Sequence, residues 1–161
     1  MTFNFAKLED NGAIILKDIL SSKDKDQILK SLVPIFSEYI DSQLLINSES
    51  NSFIQNQNFH NSLISLRKND KIAFSDLYDK IRLSASLRSI FYSKKFLKIF
   101  SKILKIDDEK VFLNGFMLRL DTPSDNRNTL GWHQDSPYYR QTLPDFNAYV
   151  CWLPLSEVNK K

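Results

Sequence analysis

The sequence predicts an α+β fold, with helices in the first two thirds of the chain and strands at the end. Several stretches between residues 22 and 104 repeat apolar residues three or four positions apart, the period of an amphipathic helix. After residue 110 the apolar runs are short and bounded by turn residues, which is typical of strands. Helices followed by strands favour α+β, with 1–110 mainly helical and 111–161 supplying the first strands of a sheet or barrel.

Length and composition indicate one globular domain over residues 1–161. The chain is 42% hydrophobic and 25% charged, which excludes an intrinsically disordered chain, and its 12 Phe residues can fill a core. No apolar run approaches the roughly 20 residues that a membrane span needs. The single cysteine, Cys151, excludes an internal disulfide framework and predicts a cytoplasmic protein. With only two histidines, His60 and His133, zinc fingers are excluded as well.

The N-terminal part is predicted to contain a strand followed by a helix. Residues 13–17 are a short apolar run after an Asn-Gly pair, which favours a strand. Ser21 or Ser22 is a candidate N-cap for the helix, and Asp24 lies in its first turn, where the helix dipole favours negative charge. Pro34 is expected to kink or split this helix.

The middle of the chain is predicted to be a polar loop followed by three helices. Residues 47–61 are rich in Asn, Ser and Gln without a sustained period, which indicates a surface loop. Helical spacing then predicts helices over 70–82, 84–92 and 94–104. The last of these carries lysines opposite its apolar residues. A solvated face on a core helix explains this better than a nucleic-acid or membrane surface.

The C-terminal part is predicted to hold two strands on either side of a turn. Residues 111–120 are apolar and 121–128 have turn chemistry, while 148–153 form a second apolar run. Cys151 and its neighbour Trp152 should point to opposite faces of that strand, with the cysteine buried.

A His-x-Asp pair lies between the two predicted strands. In an extended segment, side chains two residues apart point to the same side, so His133 and Asp135 can reach one metal ion together. A further, distant histidine would complete the two-histidine, one-carboxylate set that holds non-haem Fe(II). Alternatively, the two residues share a hydrogen bond in a surface turn.

The residues around this pair resemble the phytanoyl-CoA dioxygenase family, whose members are Fe(II)- and 2-oxoglutarate-dependent oxygenases. The likeness lies in residues 11–21, 117–125, 132–139 and 152–155 and extends over 11–158. Its most specific part is the His-Gln-Asp segment at 133–135 with the Trp-x-Pro-Leu segment at 152–155 behind it. The resemblance implies that the α+β fold is a double-stranded β-helix, a jelly-roll or cupin-like barrel, with N-terminal helices packed on it. That barrel would be incomplete in this chain.

The resemblance also implies roles for five residues. His133 and Asp135 match the family's first two iron ligands. Met117 and Trp152 match positions that line the 2-oxoglutarate pocket, and Lys80 matches a lysine that reaches a cosubstrate carboxylate. Taken without the resemblance, Met117 and Trp152 would be core residues and Lys80 a solvated lysine on a helix.

One departure from the family pattern is large. The family's third iron ligand, a histidine, and its arginine for 2-oxoglutarate follow the strand that contains Trp152, yet no histidine follows His133 here. The other histidine, His60, precedes every predicted barrel strand. We therefore expect a truncated oxygenase that is inactive alone and needs a complementary C-terminal polypeptide.

The expected reaction is hydroxylation of a small molecule or acyl thioester, and the basic stretch around residues 94–105 favours an anionic substrate. No nucleic-acid partner is expected, because the sequence shows no basic and aromatic platform. The alternative is a non-catalytic binding or assembly module that retains part of the oxygenase fold.

Overall fold

The computed structural model describes residues 6–46, 53–113, 115, 117–123, 131, 133 and 149–155. Regular structure in these residues is helical. There are seven α-helices, α1 to α7, over Ala6–Asn11, Ser22–Phe36, Gln43–Ile46, Gln57–Asn69, Lys71–Leu83, Ala85–Phe91 and Lys94–Leu104, and two 3₁₀ turns, over Phe53–Gln55 and Asp108–Lys110. No described helix is both long and apolar enough to cross a membrane.

The predicted α+β fold on an incomplete double-stranded β-helix is wrong, because the described part of the chain contains neither a strand nor a jelly-roll barrel. The described residues of the runs at 13–17, 111–120 and 148–153 are irregular. A helix pairs its own N–H and C=O groups, whereas a strand needs a neighbouring strand for them. The apolar runs have a composition that suits a strand, but composition alone does not supply the second strand with which each must pair.

The chain divides into two compact units, each built from two separate stretches. The first unit contains Met1–Pro34 and Leu83–Phe116, and the second contains Ile35–Arg82 and Met117–Lys161. The core of each unit thus depends on residues that are distant in the sequence. The expectation of one domain over 1–161 remains a prediction.

Helix α2 begins with a reciprocal capping arrangement. The Ser21 hydroxyl accepts a hydrogen bond from the Asp24 N–H at 3.2 Å, and the Asp24 carboxylate accepts one from the Ser21 N–H at 2.7 Å. This capping box satisfies two backbone donors that a helix start leaves unpaired. Ser21 is therefore confirmed as the N-cap. Pro34 lies in the last turn of α2, which ends at Phe36 and is not split.

Helix α4 replaces part of the predicted loop. Asn56 is its N-cap and accepts a hydrogen bond from the Asn58 N–H at 2.9 Å, so the prediction of a loop is wrong from residue 57 onward. Phe59 is buried on this helix, and its ring meets those of Phe36 and Phe53 edge to face, with centroids 5.1 and 5.0 Å apart. Residues 47–52 lie outside the described residues.

The predicted helices over 70–82, 84–92 and 94–104 are confirmed as α5, α6 and α7. Their apolar stripes supply much of the core of each unit. The buried apolar side chains of these helices are Phe74, Leu77 and Ile81 on α5, Leu87 and Ile90 on α6, and Phe96 and Ile103 on α7.

Candidate functional site

His133 is an exposed residue whose ring is held by a backbone carbonyl. Its Nδ1 lies 2.7 Å from the carbonyl oxygen of Gly131. Because a carbonyl oxygen only accepts hydrogen bonds, Nδ1 carries the proton and Nε2 carries the lone pair of the neutral ring. Metal-binding histidines commonly have this arrangement, with one nitrogen donating to a carbonyl and the other facing the metal. The second predicted ligand, Asp135, lies outside the described residues.

Lys80 lies on α5 in a cluster of polar side chains from its own unit. Its ammonium is 2.6 Å from a carboxylate oxygen of Glu38 and 3.1 Å from one of Asp76, and it lies 4.9 Å from the centroid of the Tyr39 ring. The Tyr39 hydroxyl in turn donates to Asp76. The predicted partner of 2-oxoglutarate therefore already binds two carboxylates of this chain.

The same contacts set the protonation of the cluster. The hydrogen bond to Glu38, followed by those to Tyr39 and Asp76, raises the pKa of Lys80. The hydrogen bond from Tyr39, followed by that from Lys80, lowers the pKa of Asp76. Lys80 is thus a charged ammonium and Asp76 a carboxylate at neutral pH, which suits electrostatic binding.

Met117 and Trp152 lie in irregular segments with 59% and 69% of their surfaces exposed. Such exposure is inconsistent with ordinary core packing, which was the alternative interpretation for both. Cys151 is exposed too, so its expected burial on the far side of a strand is wrong. The segment is irregular, and no described strand partner or covering layer buries one of its faces.

His60 has a structural role at the beginning of α4. Its Nε2 is 2.6 Å from the carbonyl oxygen of Ile54, so this nitrogen donates to the preceding 3₁₀ turn. Its ring also meets that of Phe59, with centroids 5.5 Å apart. These contacts hold His60 to its own local backbone.

No group of three His, Cys, Asp or Glu side chains in the described ranges is placed to hold a metal ion. The expected iron site takes only two ligands from this chain, His133 and Asp135, and Asp135 lies outside the described residues. The four predicted site residues that the structure describes, Lys80, Met117, His133 and Trp152, all belong to the second unit.

No protein-family model, curated protein or solved structure matches the chain. The family resemblance consequently depends on the sequence segments around His133 and Asp135 described above and on no matched relative.

The cluster around Lys80 was missed by sequence reasoning. The spacing of Asp76 and Lys80, four residues apart on a helix, is a known signature of an ion pair and could have revealed half of it. Glu38 is 42 residues from Lys80 and no local pattern links them.

Proposed function

We propose that the chain is part of an Fe(II)- and 2-oxoglutarate-dependent dioxygenase, to which it contributes His133 and Asp135 as two of three protein ligands. The reaction is hydroxylation of a small molecule or acyl thioester. The observation that carries the proposal is the His-x-Asp segment within the stretches that resemble the phytanoyl-CoA dioxygenase family. A single cysteine in the sequence is compatible with action in the reducing cytoplasm.

The donor set fits ferrous iron. An imidazole and a carboxylate are two members of the facial set that binds non-haem Fe(II), and the proton on Nδ1 of His133 leaves Nε2 with the lone pair that a metal requires. Bound iron would supply the activation of O₂ that a C–H hydroxylation needs. In the family that the chain resembles, the third ligand follows the segment of Trp152, and His60, which precedes that segment, does not match it.

Binding of 2-oxoglutarate by Lys80 requires an exchange of partners. The Lys80 ammonium would leave Glu38 or Asp76 for a cosubstrate carboxylate. All three side chains are largely exposed, and exposed ion pairs add little to stability, so such an exchange is feasible. Met117 and Trp152 would offer apolar surface to the same ligand.

Metal binding tests the proposal directly. Mn(II) is titrated into the 161-residue chain, and loss of the free-ion electron paramagnetic resonance signal reports binding. We expect weak, saturable binding that is lost in His133→Ala and in Asp135→Ala, since each variant removes one of only two ligands. His60→Gln is the matched control, because it removes the other imidazole while the Gln amide can still donate to Ile54.

Two results would contradict the proposal. One is an unchanged Mn(II) affinity in His133→Ala or Asp135→Ala. The other is no binding at all by the unmodified chain at millimolar Mn(II). Turnover of 2-oxoglutarate by the chain alone would instead refute its incompleteness, because a site without its third ligand and its arginine should not react.

A second candidate function is that of a non-catalytic binding or assembly module. Exposed apolar side chains favour it, since Val150 is 78% exposed and Trp152 69% exposed within one short segment. Exposed apolar patches commonly mark protein–protein contacts. Sedimentation velocity separates the two functions. Self-association that disappears in Trp152→Ser, in a chain that binds no Mn(II), would favour the module over the enzyme.

A further inference from the structure

Helix α7 presents a lysine-rich face. At about 100° per residue, Lys94, Lys95, Lys98 and Lys102 fall within about 100° of the helix circumference. All four are exposed, whereas Phe96 and Ile103 are buried. The apolar face is therefore used in the core of the first unit, and α7 is not free to insert that face into a membrane.

Part of the lysine-rich face borders a cavity. The cavity has a volume of about 380 Å³ and lies between α7 and the loop before α2. Its lining residues are Asp18, Ile19, Ser21, Lys95, Lys98, Ile99 and Lys102. Ile19 and Ile99 are half-buried and give it an apolar wall beneath the charged groups. All of these residues belong to the first unit.

The charge of Lys95 is already balanced by a carboxylate of the same unit. Its ammonium forms an ion pair with Asp24, the residue that also closes the capping box with Ser21. The hydrogen bond from Lys95, with that from Ser21, lowers the pKa of Asp24 to about 2. The carboxylate thus stays charged through the physiological range, and Lys95 is bound to it.

The other two lysines of the cavity have no such partner. Within the described residues, neither Lys98 nor Lys102 forms an ion pair, and they lie one helical turn apart on α7. Like charges at this spacing repel each other, so a bound anion between them would relieve the repulsion. The one carboxylate left in the lining, Asp18, is outnumbered by these two ammonium groups.

We propose that this cavity binds a small phosphomonoester with an apolar substituent. The phosphate bridges the ammonium groups of Lys98 and Lys102, and the substituent packs against Ile19 and Ile99. A phosphomonoester carries nearly two negative charges at pH 7, which matches two unpaired ammonium groups better than a carboxylate does. The inference is independent of the proposed metal site, whose residues lie in the second unit.

Phenyl phosphate is the probe that tests this inference. It is titrated into the ¹⁵N-labelled chain while amide chemical shifts are followed. We expect saturable shifts at Ile19, Ser21 and Ile99, with weaker binding of inorganic phosphate, which lacks the apolar group. Affinity should fall as NaCl is raised, because the contact is partly exposed to solvent.

Charge variants then locate the site. The double variant Lys98→Gln/Lys102→Gln should bind phenyl phosphate at least about tenfold more weakly, since it loses two charge-assisted contacts. The matched control is Lys30→Gln, which removes an exposed lysine of α2 in the same unit that forms no ion pair with any described residue, and this variant should bind normally. Ile19→Ser should reduce the preference for phenyl phosphate over inorganic phosphate.

Three results would overturn the proposal. An equal loss of affinity in Lys30→Gln would show non-specific attraction to a basic protein. Equal affinity for phenyl phosphate and inorganic phosphate would remove the role of the apolar wall. Binding to phosphatidylcholine vesicles that contain phosphatidic acid, without binding of phenyl phosphate, would make the face a membrane contact instead.

Discussion

Two regions of the molecule are both rich in apolar residues and differ in how far they bury them. The helices between residues 22 and 104 supply most of the buried apolar side chains, and Phe36 and Phe96 are each 1% exposed, although Ile72 on α5 is 85% exposed. In the irregular segments that follow, Phe112 is 82% exposed and Trp152 69% exposed. A helix satisfies its backbone internally and needs a neighbour for one face only. An extended segment needs neighbours for both its backbone and its side chains.

The largest difference in stability is expected between two phenylalanine truncations in the first unit, one in a helix and one in an irregular segment. Phe96→Ala should lower the free energy of unfolding by about 3–5 kcal/mol, because it leaves a cavity in a packed core. Phe112→Ala should change it by less than about 0.5 kcal/mol, because the ring is already in water. Urea unfolding followed by circular dichroism measures both. Similar losses in the two variants would mean that Phe112 is packed after all.

The cap of α2 should have the next largest effect. Asp24→Asn weakens the ion pair with Lys95 and the reciprocal cap with Ser21. We expect a loss of about 1 kcal/mol in the free energy of unfolding, a typical value for a cap with a partly exposed ion pair. Asp26→Asn, an exposed carboxylate two residues along the same helix, is the control and should stay within about 0.5 kcal/mol. A control that loses as much as Asp24→Asn would implicate the helix dipole alone.

Acid should destabilise the helical region through the same carboxylate. Folding lowers the pKa of Asp24 from 3.8 to about 2. Its contribution to stability is therefore present above pH 4 and is lost as the pH falls towards 2. Unfolding free energies measured between pH 5 and pH 2 should fall less steeply in Asp24→Asn than in the unmodified chain. Parallel curves for the two proteins would show that Asp24 has a normal pKa.

The smallest effect is expected at the exposed cluster of the second unit. Tyr39→Phe removes the hydrogen bond that contributes most to the lowered pKa of Asp76, so that pKa should rise towards 3.8. Side-chain NMR titration of Asp76 measures the change. Asp79→Asn serves as the control, since Asp79 pairs with Arg82 and not with Tyr39. A pKa of Asp76 that does not move in Tyr39→Phe would assign the shift to Lys80.

Local patterns predicted four of the seven described α-helices and none of the contacts between residues distant in the sequence. Helices α5, α6 and α7 were predicted correctly because their apolar residues recur three or four positions apart within one short stretch. Helices α1, α3 and α4 were not predicted, and the N-cap of α4, Asn56, lies in a stretch rich in Asn, Ser and Gln where it does not stand out. For the candidate site, only residue types and the short spacing of His133 and Asp135 could be read. The contact between Glu38 and Lys80 had no local signature.

The amino-acid sequence alone determined helices α2, α5, α6 and α7, a cap of α2 at Ser21 or Ser22, and which residue types could hold a metal, since all of these depend on neighbours a few positions apart. Tertiary structure alone decided that the apolar residues at 149–152 remain exposed and that Lys80 is paired with Glu38. Only packing brought Lys98 and Lys102 to the edge of a cavity with Ile19. The physical reason is that burial and ion pairing depend on distance in space, and the spacing of two residues far apart in the chain does not predict the distance between them in the fold.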